Sequence, residues 1–508
     1  MPASSVKEPV VSATPAATRP RVKAVDRSQM TWQMLDVERL VEADHPARAV
    51  WELVGRLDLS GYYAAIEALE GAAGRTPWDP RLLVSLWVYA YSRGISSARE
   101  ISRRCGYEPA FQWLCGLEPI NYHTLSDFRV EHSATLRELF VQLLGVLSAE
   151  GLITLERVMH DGTKIQAQAA KSSFCRAERL AEHVAAARQQ VEAMGDPQVE
   201  ESAGHKAAQQ RAVREQQQRL DQALAQLHQL PASKGPEPSP SMRVSTTDPE
   251  ARIMKQADGG FAPSYNVQVS TDGAHKLIVG VSVSQSGNDW GELVAAVRQV
   301  RENCGQQPKQ VVADAGFTNR TNVVEMAAQG IDFVGSPREL GPDNGGGLER
   351  RGVRPEYYRE RFEYDPQQDV FRCPLGTVLT HMGRKRRRGA VEHAYRADSR
   401  ACQACPFQQP CCGRERGKPR AVSRVEEPPA MVKFLERMQT DQAKAIYRQR
   451  SEVAEFPHAW IKAKLGIRQF RLRGLVKVGL EAIWACLTYN IQQWIRLSWR
   501  QKWVNLAG

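Results

Sequence analysis

Apolar residues recur at helical spacing from about residue 36 to residue 150. Leu82, Leu83, Leu86, Trp87 and Tyr91 fall three and four positions apart, and Leu136, Phe140, Leu143, Leu144 and Leu147 repeat the pattern. Such stripes predict amphipathic helices that bury one face. Between them Ser97 and Glu100 form a capping box, after which Ala98, Ile101 and Cys105 share a face. Arg99 and Arg103 stand one turn apart on the other face, with Arg104 beside Arg103. Two readings fit this short helix after a glycine turn. It is a recognition helix of helix-turn-helix type, or a surface helix of a bundle whose charges are solvated.

The period then changes to two. Glu156–Asp161 reads as a short strand running into a turn at Asp161-Gly162. Tyr265–Ser270 alternates, and Leu277–Val283 repeats the alternation after a turn at Thr271–Ala274. A helix around Trp290–Asn303, a strand Gln310–Asp314, a helix over about Asn319–Gln329 and a short strand Ile331–Gly335 follow. Residues 176–230 differ: Gln, Ala, Arg and Glu dominate, with a thin stripe of Leu220, Leu224, Leu227 and Leu230. They predict two long helices broken around Gly195-Asp196-Pro197, folded as an antiparallel hairpin. A flexible linker rich in Pro and Ser covers 231–249. The order strand, helical excursion, two strands, helix, strand, helix, strand predicts an α/β fold, a mixed sheet interrupted by an insertion. Residues 340–430 read as loop-rich, basic and cysteine-bearing. The final segment is helical, with Leu480, Ile483, Leu487, Ile491, Trp494 and Ile495 on one stripe.

A chain of 508 residues exceeds a single core, so two or three domains are expected. Residues 1–28, rich in Pro, Ala, Val and Ser, read as a disordered tail with no apolar segment of a secretory signal. Nothing reaches the ~18 consecutive apolar residues of a membrane span. The expectation is a cytoplasmic protein without a membrane partner. Lys and Arg number 68 against 57 Asp and Glu, a formal charge of +11. That balance favours polyanions, whose counterions basic side chains displace. Two clusters stand out: the run Arg384 to Arg388, and Lys462, Lys464, Arg468, Arg471 and Arg473. Either also reads as a solvated loop or helix face.

Three carboxylates matter more together than singly. Asp161 alone is a turn residue, Asp314 alone caps the turn after an apolar strand, and Glu455 alone pairs with charges on its helix. Lys462, seven positions after Glu455, shares its face on a continuous helix. Pro457 lacks an N–H and disfavours a helical residue before it, which puts Glu455 just before a helix or beside a kink. Two Asp at strand ends and a Glu on a later helix are the parts of a two-metal phosphoryl-transfer site. Mg²⁺ is hard, prefers oxygen and keeps several waters, so a few carboxylates suffice. No Ser/His/Asp or Cys/His arrangement of recognisable spacing offers a covalent route.

These motifs resemble the DDE transposases of bacterial insertion sequences, whose catalytic domain is RNase H-like. His160-Asp161-Gly162-Thr163-Lys164 matches the first carboxylate motif and Ala313-Asp314-Ala315-Gly316-Phe317-Thr318-Asn319 the second. Tyr447, Arg450, Glu455 and Lys462 fill the Tyr-x2-Arg...Glu-x6-Lys signature, with four residues between Arg450 and Glu455 where three are commoner. Glu452 fits neither spacing. Residues Gly466–Gly474 match the basic stretch after the signature, and the helices of 30–150 resemble the N-terminal DNA-binding domain. The resemblance implies an RNase H-like catalytic domain over 151–497 with a helical hairpin at 176–230 and a Cys-rich insertion at 340–430. It implies that Asp161, Asp314 and Glu455 hold two Mg²⁺ (or Mn²⁺) ions. Tyr447, Arg450 and Lys462 would contact transposon-end DNA, helped by Arg468, Arg471, Arg473, Arg99 and Arg103. Water would free a 3′-OH at the element end, and that hydroxyl would attack target DNA. The expected partner is double-stranded DNA, bound by a homo-oligomer at the nucleoid. Two rivals remain: a domesticated, non-catalytic DNA-binding protein, and an RNase H-like nuclease without strand transfer.

The ten cysteines, with no secretory signal, argue against a disulfide framework. Cys373, Cys402, Cys405 and Cys411, with Cys412 adjacent, include one CxxC half-site and resemble the Cys-rich insertion of one branch of these transposases. They read as ligands of one structural Zn²⁺, or as free thiols. Cys105, Cys115, Cys175, Cys304 and Cys486 read as small packed hydrophobes.

Overall fold

The structure, a computed structural model, describes residues 28, 30, 34–66, 76–193, 203–229, 242–337, 346–387, 390–413 and 418–502. The tail expected over 1–28 (Ser28 apart), the helix break at 195–197 and linker residues 231–241 lie outside them.

Helices Pro46–Val54, Pro80–Ser92, Ala98–Cys105, Pro109–Cys115, Tyr122–Glu131 and Ser133–Ala149 build the N-terminal part. Three of them begin with proline, where a missing N–H costs no helical bond. Both apolar stripes read from the sequence are buried. Three of the helices, Pro80–Ser92, Tyr122–Glu131 and Ser133–Ala149, pack on the long C-terminal helix Leu475–Trp494. Trp87 and Trp484 meet with ring centroids 6.4 Å apart, and the Trp484 indole N–H donates to the Arg129 carbonyl at 3.4 Å. On its other side this helix covers a sheet edge. Buried Asn490 accepts from the Ile278 N–H at 2.8 Å and donates to the Ile278 carbonyl at 2.7 Å. An edge strand otherwise presents unpaired backbone groups, so this amide closes the edge. One apolar core therefore runs from the N-terminal helices through Leu475–Trp494 into the sheet.

The main sheet contains β1 (Arg157–Gln166), β2 (Arg252–Lys255), β3 (Phe261–Asp272), β4 (Ile278–Ser284), β5 (Gln310–Ala313) and β6 (Asp332–Val334). Its order is β2-β3-β1-β5-β6, with β4 also paired to β3. β3 is antiparallel to β1, β2 and β4, whereas β5 and β6 run parallel to β1. An antiparallel meander joined to two parallel strands through helices Leu293–Cys304 and Arg320–Ala328 is the RNase H-like arrangement. The fold is thus α/β, with a helical N-terminal region before the sheet.

Three local expectations differ from the structure. Asp161 does not end a strand: β1 continues to Gln166, because β3 keeps pairing with it as far as Ser264. Residues 340–430 are not mainly loop. They contain a five-stranded antiparallel sheet of β7 (Glu363–Asp365), β8 (Val370–Arg372), β9 (Val378–Arg387), β10 (Ala390–Ala397) and β11 (Ala421–Glu426). Its order is β11-β10-β9-β8-β7, around a small core of Phe362, Phe371, Leu379, Tyr395, Ala397 and Val422. Charged residues on both faces hide the alternation. The stretch after residue 241 is also structured, for Val244–Ser245 pairs with Phe174–Cys175 at the base of the helical hairpin. In that hairpin, helices Ala177–Ala193 and Ala203–Gln229 pack through Leu180, Val184, Ala187, Leu220, Ala223 and Leu227. Arg188 pairs with Asp221 at 3.0 Å.

Candidate active site

The parallel register sets two carboxylates side by side. His160 lies opposite Ala313 in the β1–β5 ladder, so the next residues, Asp161 and Asp314, emerge together. β5 stops there because Asp314 turns the chain: its carboxylate accepts from the Gly316 N–H at 2.8 Å and its carbonyl from the Thr318 hydroxyl at 2.9 Å. Asn319 then caps the next helix by accepting from the Asn322 N–H at 3.0 Å.

Asp161 is 15% exposed. Burial pushes its pKa up to about 6; the Arg450 charge opposes this, and the Asp314 and Asp289 charges add to it. Its Oδ1 accepts from the Gly162 N–H at 3.0 Å, and its charged neighbours are more distant. Arg450 Nη1 is 3.7 Å away and His458 Nε2 3.9 Å, and neither nitrogen has a hydrogen-bond partner. Burial holds His458 neutral, down to about 3. His160 is also neutral, down to about 4 by burial. Its ring contacts Ser270 and Gln268, each at 2.9 Å, and meets Phe317 edge-on. The imidazole thus locks the residue before Asp161 against the turn after Asp314.

A fourth carboxylate, Asp289, was not singled out from the sequence. Its Oδ1 accepts from the Asn266 amide at 2.6 Å and the Gln268 amide at 2.8 Å, and Lys164 Nζ stands 3.5 Å from both oxygens. The Gln268 amide group donates to Asp289, so its oxygen faces His160 and accepts the Nε2 proton. A Cβ on Gly162 would lie 2.6 Å from Asp289 Oδ1 and 2.7 Å from Gln268 Nε2. Gly162 therefore answers a close approach within a strand, not a turn. A Cβ on Gly316 would meet Asp314 Oδ1 at 3.1 Å and Asp289 at 3.9 Å. Asp289 follows β4 in an irregular segment, and its only sequence signal was a carboxylate among Ser, Gly and Asn before a helix.

Glu455 lies on helix Arg450–Ala463, which continues through Pro457. Of the two placements that Pro457 allowed, the one ahead of the helix is excluded; the packing of buried Val453, Ala454, Pro457, His458 and Ile461 holds the segment helical. Its side chain is 61% exposed, 3.9 Å from Arg450 Nη2. Arg450 thus stands between Asp161 and Glu455. Glu452 points elsewhere, to Lys276 at 2.7 Å. Tyr447 packs beside the core, its ring 6.0 Å from the Arg450 guanidinium. Lys462 donates to the Thr163 hydroxyl at 2.5 Å, and burial lowers its pKa.

The basic stretch after the signature is stitched to the end of β1. Gln166 donates to the Arg468 carbonyl at 3.2 Å and accepts from the Phe470 N–H at 2.9 Å. Arg468 is exposed there, near Lys462. Arg471 and Leu472 donate backbone N–H groups to buried Glu481, and Arg473 donates to the Gln168 carbonyl at 3.1 Å. Arg99 and Arg103 lie on helix Ala98–Cys105. Arg99 sits 5.0 Å over the Tyr122 ring, and Arg103 pairs with Glu100 at 2.8 Å.

The carboxylate set suits a hard cation, because it offers only oxygen donors and one of them is desolvated with its nearest cationic group 3.7 Å away. Cys373, Cys402, Cys405, Cys411 and Cys412 gather elsewhere, around a cavity of about 30 Å³ under the second sheet. Among the described residues, no three His, Cys, Asp or Glu stand close enough as they are to hold a metal ion. All ten cysteines are free; Cys105, Cys115, Cys175 and Cys486 are buried and Cys304 is half-buried.

Comparison with protein families gives two matches. Residues 372–495 match the family described as Transposase DDE domain, and residues 35–131 match the one described as Transposase domain (DUF772). Both matched families are transposase domains, and together they support a DDE transposase of insertion-sequence type. Tyr447, Arg450, Glu455 and Lys462 fall inside the first match, whereas Asp161 and Asp314 precede it. No curated protein matches the chain. Transposases act on DNA, and this family generally uses divalent metal ions. No helix among the described residues is long and apolar enough to cross a membrane.

Proposed function

We propose that the protein cuts DNA at transposon ends and joins the freed 3′-OH to target DNA, with Asp161, Asp314 and Glu455 holding two Mg²⁺ or Mn²⁺ ions. The observation that carries this reading is the adjacency of Asp161 and Asp314 across the parallel β1–β5 register, with Asp161 desolvated. When bound, the ions supply positive charge to the attacking and leaving phosphodiester oxygens. Asp289 positions Lys164 and, through Gln268, the His160 ring behind Asp161. With cations held by Asp161 and Glu455, Arg450 would be free to bind a DNA phosphate, with Tyr447 beside it. Lys462 and Arg468 bind phosphates beside the end of β1, with Arg471 and Arg473 further along. Arg99 and Arg103 contact the same DNA from the N-terminal helix. The protein works as a homo-oligomer on double-stranded DNA at the bacterial nucleoid.

Strand transfer separates this reading from a simple nuclease. The purified chain, given a pre-cut 3′-OH end from the DNA bordering its gene, a plasmid target and Mn²⁺, should yield joined products. Cleavage without joining would leave a nuclease, and DNA binding without either would leave a domesticated binding protein.

A secondary proposal concerns the thiols. The convergence of Cys373, Cys402, Cys405 and Cys411 on one cavity supports a structural Zn²⁺ there, after small side-chain rotations.

A further inference from the structure

The basic run beginning at Arg384 was left unassigned by the site, and its place in the fold gives it a role. It lies on β9, whose pairing with β8 ends at Thr380. From His381 onward β9 has one neighbour only, β10, and its other edge is open among the described residues. Arg384, Lys385 and Arg386 are all exposed on this segment. β9 and β10 together carry Arg384, Lys385, Arg386, Arg387 and Arg396 against a single acid, Glu392.

The charges divide by face, because side chains alternate along a strand. Lys385 lies across from Glu392, 3.6 Å away, and that pair is largely balanced. Arg384 and Arg386 lie across from His393 and Val391 on the other face. Neither arginine has a carboxylate partner among the described residues. They are two positions apart on one strand, about 7 Å in extended chain, close to the spacing of successive phosphates on one DNA strand.

The second sheet is also fixed to the catalytic end of the first. Arg320, the first residue of the helix after Asp314, makes a two-pronged contact with Glu427, which directly follows β11. The bonds are 2.6 Å and 2.5 Å long, and both side chains are largely buried. A bidentate pair of this kind fixes orientation as well as distance.

We propose that the open edge of β9 is a duplex-DNA contact, in which Arg384 and Arg386 bind phosphates without reading sequence. This rests on the DNA reading above and adds to it a surface that the three carboxylates do not define. A competing account is that the charges only guard the open edge against strand pairing, a common use of basic residues there.

Salt dependence separates the two. The full chain and its Arg384→Gln/Arg386→Gln variant are titrated with a fluorescent 30-base-pair duplex of unrelated sequence at several salt concentrations. Each lost phosphate contact lowers the slope of log K against log salt by about 0.9, so the double variant should lose nearly 2. Its affinity near 0.1 M salt should fall on the order of tenfold or more. Lys385→Gln, which removes a residue already paired with Glu392, should change the slope by less. Circular dichroism and melting temperature should match the parent, since neither arginine packs against the core. An unchanged slope and affinity would overturn the proposal, as would a variant that binds DNA normally but aggregates. Lost affinity for an RNA duplex alone, with DNA binding intact, would also overturn it. Failure of the parent chain to bind any duplex would remove the DNA reading itself, a result distinct from failure of the β9 edge.

Discussion

Replacing Asp161 with Asn should stabilise the metal-free protein at neutral pH while abolishing its activity. The carboxyl is 15% exposed, its nearest opposite charge is 3.7 Å away, and burial raises its pKa from 3.8 to about 6. At 1.36 kcal/mol per unit, a rise of about 2 is worth about 3 kcal/mol. The folded state holds this proton to a higher pH than the unfolded state does. Between about pH 4 and pH 6 the unfolded chain therefore binds fewer protons, and stability falls as pH rises through that window. Above about pH 6 the whole cost is present, and below about pH 4 it is absent. Asn keeps the shape and removes the charge, so parent and variant should melt together near pH 4, diverge between pH 4 and pH 6, and differ by the full amount above pH 6. For a cooperative unit of roughly 200 residues, about 3 kcal/mol is on the order of 5–10 °C in melting temperature. Calorimetry in chelator at several pH values reads this directly. Adding Mn²⁺ at pH 8 should raise the parent's melting temperature and leave the variant's nearly unchanged, since a ligand stabilises only the state that binds it. A variant no more stable than the parent at pH 8 would refute the idea that Asp161 carries an uncompensated charge.

Other consequences are as specific. Gly162→Ala should push Asp289 off its two amide donors, because the new carbon would sit 2.6 Å from Asp289 Oδ1. Cleavage should drop at least about tenfold, ~1.4 kcal/mol of barrier, with far-UV circular dichroism retained. Asn490→Ala strands both backbone groups of Ile278 at the covered sheet edge. Its cost, about 2–5 kcal/mol for two buried unpaired groups, should appear as a lowered melting temperature. Metal analysis of the purified chain should find one zinc per molecule, lost in Cys402→Ser; a zinc-free, fully active protein would leave the cysteines as thiols.

Much of the architecture was legible because it follows from periodicity. The stripe Leu480 to Ile495 and the bundle positions Leu82 to Tyr91 are all buried where their spacing put them. Strand order needed the chain's topology, yet Asp314 was readable from an apolar strand ending in a carboxylate. Asp161 was readable only with its neighbours: an Asp-Gly pair usually turns, and here a glycine inside a strand makes room for Asp289. That fourth carboxylate belongs to an irregular segment without local pattern, and only the fold brings it beside β1 and β3. The second sheet was hidden by short strands and by basic residues on both faces of β9, Arg384 and Arg386 on one and Lys385 on the other. Pro457 left open a helix start or a kink; the helix runs through it because buried neighbours on both sides outweigh the one backbone bond it removes.

The central claim is that Glu455, on a helix far along the chain, completes a site begun by Asp161 and Asp314. The most direct test is Mn²⁺-dependent cleavage of the DNA ends bordering this gene by four variants measured side by side. Asp161→Asn, Asp314→Asn and Glu455→Gln should each lose detectable cleavage while still binding the end duplex. Glu452→Gln, whose carboxylate pairs with Lys276, should cut at nearly the parent rate. An active Glu455→Gln protein, or loss of activity in Glu452→Gln alone, would contradict the account.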